Sequence, residues 1–233
     1  MMISSDGKTT YTDAESLSDD LGVRVRNGDN VALQRLQEIS ADEDPKQNHS
    51  RARALYELAE VYFNGFCGED RSSEEALKFL TQAAALNDDL ALIRLGEFYR
   101  DGAQYFTQDG QKALELFVKA SERGNQSGLK IAAEMFRYGK GGFAPDGYKA
   151  VEFYEMPDAL DDKQAPFDIA EIYSEGCGRL KADKQKALAI YDDIVRHGKY
   201  WLDVYGDFDI DSPRLGDYKK ARYRMTELTA AET

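Results

Sequence analysis

A five-residue pattern returns in this chain every 37 residues. Leu58-Ala59-Glu60-Val61-Tyr62 leads to Gly65, and Leu95-Gly96-Glu97-Phe98-Tyr99 leads to Gly102. Ala132-Ala133-Glu134-Met135-Phe136 leads to Gly139, and Ile169-Ala170-Glu171-Ile172-Tyr173 leads to Gly176. A period of this size marks a solenoid, in which each unit buries its apolar face only against its neighbours. A second helical pattern keeps the same interval at Ala76-Leu77-Lys78-Phe79, Ala113-Leu114-Glu115-Leu116, Ala150-Val151-Glu152-Phe153 and Ala187-Leu188-Ala189-Ile190. The expected class is therefore all-α, built from antiparallel helix pairs. The pairs are expected to close at Asn87, Gly124, Asp161 and Gly198, residue types that tolerate the left-handed turn at a helix end.

The register divides the chain. Residues 1–15 are polar and mixed, and are expected to be a flexible lead-in. Residues 16–50 form a degenerate capping unit: Leu21, Gly22, Val25 and Gly28 lie 37 residues before Leu58, Ala59, Tyr62 and Gly65. Val31, Leu33, Leu36 and Ile39 give its second helix an apolar face. Residues 51–198 hold four full units. Residues 199–233 form a C-terminal capping segment that contains Trp201, the only tryptophan. A last helix is expected there over about residues 214–229, with Leu215, Tyr218, Ala221, Met225 and Leu228 as its apolar stripe. The third unit departs from the others. Pro157 should end its second helix early, and Pro166 should open the helix that follows.

Packing explains most of the repeated columns. Small residues at 59, 96, 133 and 170 let helices approach closely, and the rings at 62, 99, 136 and 173 lie on the same helical face. The glycines at 65, 102, 139 and 176 stop the helix at positive φ without steric cost.

Composition narrows the function. A formal net charge of −13 over 233 residues disfavours nucleic acid and anionic membrane surfaces, since both are held by Lys and Arg. Neither kind of partner is expected. The N-terminus lacks the apolar core of a signal peptide, and the two cysteines, Cys67 and Cys177, occupy different repeat positions. That usage fits a reducing compartment, and the cytoplasm is the expected location.

The pattern small-x-x-x-Leu-Gly-x-x-Tyr-x-x-Gly, a loop, an Asp, then x-Lys-Ala-x-x-Tyr/Phe resembles the Sel-one-like repeat, a variant of the tetratricopeptide architecture. The best copies run from Ala91 to Gly124 and from Ser127 to Tyr154. The second includes Gly139-Lys140-Gly141-Gly142 and Asp146-Gly147-Tyr148-Lys149-Ala150, and the resemblance spans about residues 54–198. It implies a right-handed superhelical solenoid whose first helices line a concave face, and a role as adaptor or scaffold. Secreted, cysteine-rich relatives with a disulfide in each repeat imply a hydrolase or β-lactam-binding alternative. This chain departs from that branch in its cysteine count.

Packing does not dictate the glutamate in the first pattern. Glu60, Glu97, Glu134 and Glu171 recur in all four units, on the side expected to face the groove. One reading is an acidic stripe that receives a basic segment of a partner. A second is that Glu simply suits an exposed helix. A third is local pairing of Glu97 with Arg100 and of Glu134 with Arg137. The same helical register adds Arg53, Tyr56, Phe63 and Asn64 in the first full unit, then Ile93, Arg100 and Asp101. The later units add Lys130, Arg137 and Tyr138, then Phe167, Ser174 and Glu175. Aromatics interleaved with arginine are hot-spot material.

Motifs for catalysis are missing. There is no H-E-x-x-H, no zinc-type cysteine pair and no G-x-S-x-G. The two histidines, His49 and His197, are far apart in sequence, and His197 is expected in the last turn of a second helix, where the helix dipole favours positive charge. Gly139-Lys140-Gly141-Gly142 lacks phosphate-loop spacing and follows a helix. No cofactor and no metal are expected, although carboxylates are plentiful enough to leave a paired-carboxylate site open. The leading expectation is a non-catalytic module that binds a protein or peptide of basic character. A cytoplasmic immunity or inhibitor protein that neutralises a toxin or effector is the alternative.

Overall fold

Helix follows helix through the chain, of which a computed structural model describes residues 2–3, 9–10, 14–102, 106–156, 164–205 and 213–230. The capping pair is α1 (Ala14–Arg26) and α2 (Asn30–Ala41). The first helices of the four repeats are α3 (Asn48–Asn64), α5 (Asp89–Asp101), α7 (Ser127–Tyr138) and α9 (Ala165–Glu175). Their second helices are α4 (Ser73–Ala85), α6 (Gly110–Glu122), α8 (Gly147–Tyr154) and α10 (Lys184–Tyr205). The last helix, α11, spans Pro213–Ala230. Two compact units divide these elements, Met1–Phe98 and Tyr99–Thr233.

Each of the four repeat pairs closes on one backbone hydrogen bond. The amide of the residue that caps the second helix donates to the carbonyl of the ring-bearing residue in the first. The bonds are Ser72 to Tyr62 at 3.0 Å, Asp109 to Tyr99 at 2.8 Å, Asp146 to Phe136 at 2.8 Å and Asp183 to Tyr173 at 2.7 Å. Each satisfies a carbonyl that a helix C-terminus leaves without a partner. The capping side chains then accept from the first turn of the second helix. Ser72 takes the amide of Glu75, Asp109 that of Lys112, Asp146 those of Tyr148 and Lys149, and Asp183 that of Lys186. Such a cap contributes about 1 kcal/mol. The glycine that ends each first helix adopts the positive φ this path needs: 72° at Gly65, 70° at Gly102, 66° at Gly139 and 74° at Gly176.

A cation covers the ring in the three later repeats. The ammonium groups of Lys112, Lys149 and Lys186 lie 4.2, 4.9 and 4.0 Å from the ring centres of Tyr99, Phe136 and Tyr173. A cation in the first turn of a helix opposes the macrodipole. The ring face and the nearby capping aspartate offset that cost. Aromatic partners complete the packing: Phe79 stacks on Tyr62 at 5.6 Å, Phe106 meets Tyr99 edge-on at 4.7 Å, and Phe143 and Phe153 stack on Phe136.

In the first unit, Leu21, Val25, Ala32, Leu33, Leu36, Ala54, Leu58 and Val61 form one core. In the second unit, Ala133, Phe136, Ala150, Val151, Tyr154, Ile169 and Ile172 form another. Tyr191, Ala170, Ala187 and Ala221 bury α11 against the last repeat, with Met225 and Leu228 beside them. The small-residue column is buried throughout, at Ala59, Gly96, Ala133 and Ala170.

Several expectations need correction. Val31 is 71% exposed, and Ala32 takes the inward place in α2 beside Leu33 and Leu36. Asn87 and Gly124 close their pairs at φ 63° and 96°, but α10 runs through Gly198 to Tyr205 without a stop. His197 therefore sits inside a helix, with Asp193 one turn earlier at 3.5 Å, rather than at a C-terminus. Within the expected lead-in, Met2–Ile3 pairs antiparallel with Thr9–Thr10. The second helix of the third unit does stop early, at Tyr154. Asp161 and the segment after Pro157 lie outside the described residues.

Close approach between α6 and α7 depends on Gly128. A Cβ there would overlap the carbonyl oxygen of Phe117. Gly128→Ala is expected to destabilise the chain by about 1–3 kcal/mol, read by urea denaturation, whereas Ser127→Ala on the exposed side stays within about 0.5 kcal/mol of wild type.

Candidate functional site

Charge is organised differently in the two compact units. In the first, Arg53 of α3 is buried rather than presented. Its guanidinium meets Asp89 at 2.7 Å, Asp88 at 3.2 Å and Asp19 at 3.5 Å. Asp88 also caps α5 by accepting from the amide of Ala91 at 2.8 Å. A buried guanidinium is tolerable only when paired in this way. One turn on, Glu57 is buried and meets Arg26 of α1 at 2.8 Å. Its carboxylate lies where a side chain at position 22 would go, so Gly22 admits it. Burial outweighs the help of Arg26 and pushes the Glu57 carboxyl up to about 7.

The first helices α3 and α5 also carry Glu60 and Glu97, both partly exposed. Arg94 of α5 lies between them, 3.9 Å from Glu60 and 3.2 Å from Glu97. Asn64 is exposed and donates to the carbonyl and the carboxylate of Glu60. Phe63 is half-buried against Phe98, with ring centres 5.6 Å apart. Tyr56 is half-buried, and burial together with Glu60 and Glu57 pushes its hydroxyl up to about 12. Ile93 is half-buried on α5. The structure therefore gathers Glu60, Phe63 and Glu97 around Arg94, a residue that no repeat column marks.

In the second unit, Arg100 makes a bidentate pair with its neighbour Asp101, both bonds at 2.7 Å. Arg137 turns from Glu134 to Asp168 of the next first helix, at 2.8 Å. Its guanidinium also lies 5.2 Å from the ring centre of Tyr138. Tyr138 is 56% exposed, with Lys140 on its ring as well at 5.5 Å. Glu134 lies 4.0 Å from Lys140, and Lys130 is half-buried on the same helix. Glu171 is the most heavily engaged of the column. It receives the buried hydroxyl of Tyr191 in a short hydrogen bond and Arg224 of α11 at 2.7 Å. Arg224 also reaches Glu175 and Glu227, each at 3.0 Å. Phe167 packs at 5.6 Å against Tyr191. Ser174 is buried, and its hydroxyl donates to the carbonyl of Glu171. Neither Arg53 nor Ser174 is presented to solvent as the helical register suggests.

The four glutamates thus share a partly exposed setting, and each has a cation within 4.0 Å. Glu60 and Glu171 each meet an arginine of a later helix, Arg94 of α5 and Arg224 of α11. Glu97 and Glu134 pair locally and keep 32% of their side-chain surface each. Sequence reasoning missed Arg94, Asp168 and Arg224. Positions 57, 94, 131 and 168 are equivalent in the repeat and read Glu, Arg, Ile and Asp, so no column flagged them. Among the described residues, no three His, Cys, Asp or Glu side chains stand close enough to hold a metal ion. Both thiols are free, and each lies 3.3 Å from a backbone carbonyl, Cys67 from that of Val25 and Cys177 from that of Arg137. No helix among the described residues is long and apolar enough to cross a membrane.

Repeated helix pairs with charged and aromatic side chains on their first helices define a helical-repeat protein. The Sel1 repeat profile matches residues 52–88, 89–125, 129–156 and 165–192, more than half of the chain, and the chain belongs to the Sel1 repeat family. Proteins of this family are typically protein–protein interaction modules and generally non-catalytic scaffolds. Among solved structures, a Sel1 repeat protein from Oxalobacter formigenes is 22% identical, with 60% of this chain and 97% of that one covered at a TM-score of 0.47. A protective antigen of uropathogenic Escherichia coli that displays an SLR fold is 14% identical at a TM-score of 0.51. The match covers 95% of this chain but only 51% of that antigen. No curated protein sequence matches.

Glu57 generates a pH prediction. Its folded pKa of about 7 lies above the ordinary value of 4.5, so the folded state holds the proton more tightly. The contribution is fully present below pH 4.5 and is lost as pH rises through about 7. Relative to Glu57→Gln, the wild-type chain is expected to lose on the order of 2–3 kcal/mol between pH 4.5 and pH 8. Urea midpoints across that range check it, and parallel curves for the two proteins contradict it.

Proposed function

We propose that the chain is a non-catalytic adaptor or scaffold that takes a protein or peptide of basic character on the side presented by its first helices, in the cytoplasm. The observation that carries this reading is the glutamate column. Its small, aromatic and glycine neighbours are required by packing, whereas Glu97 and Glu134 bind only local cations and remain partly open to solvent. Exposed pairs of this kind contribute little to stability. Their recurrence at every unit is better accounted for by recognition. The net charge of −13 adds long-range attraction for a basic partner, and the exposed ring of Tyr138 supplies an amphipathic contact beside Glu134.

Affinity capture from the source organism, followed by mass spectrometry at low and high salt, tests the reading. A basic protein partner that is lost as salt rises is expected. Glu97→Gln combined with Glu134→Gln should weaken capture about tenfold, with the circular dichroism spectrum unchanged. Full capture by that variant, or an acidic partner indifferent to salt, overturns the proposal.

A further inference from the structure

Arg94 stands where a partner's basic side chain would be expected to stand. Phe63 and Phe98 place their ring centres 5.8 and 5.4 Å from its guanidinium carbon. Glu60 and Glu97 supply the two carboxylates. Two ring faces and two carboxylates around one site select a cation. The rings attract it through their quadrupoles, and the carboxylates accept charge-assisted hydrogen bonds.

The present occupant fits this box incompletely. A guanidinium carries five donors, yet among the described residues Arg94 makes a single side-chain hydrogen bond, from Nη1 to Glu97. Its Nε lies 3.9 Å from Glu60, too far for a bond, and is buried without a hydrogen-bond partner. A buried donor left unbonded is costly. The side chain as a whole is still 42% exposed. The carboxylate of Glu60, meanwhile, is held by Asn64 at 3.3 Å. The carboxylate at Glu60 thus has its own partner, while Arg94 is held by one hydrogen bond.

We propose that Glu60, Phe63, Glu97 and Phe98 form a receptor for an arginine side chain of the partner, and that Arg94 fills it in the free chain. The proposal rests on the basic-partner reading and narrows it to one place and one chemistry. It makes Arg94 a competitor in cis: the partner's guanidinium must displace it, and the apparent affinity is reduced by the fraction of time Arg94 is seated.

The test uses the whole 233-residue chain and a capped Gly-Arg-Gly-Arg-Gly peptide, with its aspartate counterpart as control. Arg94→Gln is expected to raise affinity for the arginine peptide about tenfold. Adding Phe98→Leu or Glu60→Gln to that variant should cancel the gain, and the aspartate peptide should bind neither form. In the wild-type chain, the NMR signal of the Arg94 Nε–H should move as the arginine peptide is added. No gain for a folded Arg94→Gln chain overturns the proposal. If that variant fails to fold, an Arg94 signal unmoved at peptide saturation overturns it instead. Failure here, while Glu97→Gln with Glu134→Gln still loses the natural partner, removes the receptor and leaves the basic-partner reading standing.

Discussion

The hydrogen bond from the capping amide of each second helix to the carbonyl of the ring in the first sets the path of every repeat. It occurs at Ser72–Tyr62, Asp109–Tyr99, Asp146–Phe136 and Asp183–Tyr173. Once it forms, the glycine before the loop must take a left-handed turn, and the capping side chain turns back onto its own helix. The residue three positions after the cap is carried over the ring, where Lys112, Lys149 and Lys186 lie. One backbone contact thereby orients the aromatic column, and with it the glutamate two residues earlier.

Orientation alone does not decide what that glutamate does. At Glu60 and Glu171 a guanidinium arrives from the next helix but one, Arg94 of α5 in one case and Arg224 of α11 in the other. These two cations come from different kinds of element. Arg94 belongs to a repeat, whereas Arg224 belongs to α11, which packs on the last repeat through Ala221, Met225 and Leu228. α11 thus gives Glu171 the ionic partner that a following repeat gives Glu60. Arg137 and Asp168 link two first helices with the charges reversed. The column thus meets an arginine of a later helix at Glu60 and Glu171, and only a local cation at Glu97 and Glu134, where a third of the side-chain surface stays open.

The helix pairs, their glycine stops and their small-residue contacts were legible because the 37-residue register repeats the same physical demand four times. The ion pairs were not, since their partners occupy positions where the repeat varies. Arg94 and Asp168 share one such position with Glu57 and Ile131. Helical register placed Arg53 and Ser174 outward, but Asp88 and Asp89 draw Arg53 inward, and Ser174 turns back to the carbonyl of Glu171. Gly198 read as a stop, yet the helix continues through it, because a glycine only permits the left-handed turn and does not require it. Cys67 shows the converse. It aligns with Gly141 and Gly178, and all three have positive φ, at 57°, 69° and 57°. The loop path requires that conformation even where the residue is not glycine.

The account turns on whether a column glutamate ties its first helix to a later helix. Glu171 and Arg224 give the most direct measurement, a double-mutant cycle with Glu171→Gln and Arg224→Gln followed by urea denaturation at low salt. A coupling energy above about 1 kcal/mol, shrinking as salt is added, is the expected result. Effects that add to within about 0.3 kcal/mol would contradict it, and would leave the strict recurrence of glutamate to recognition alone.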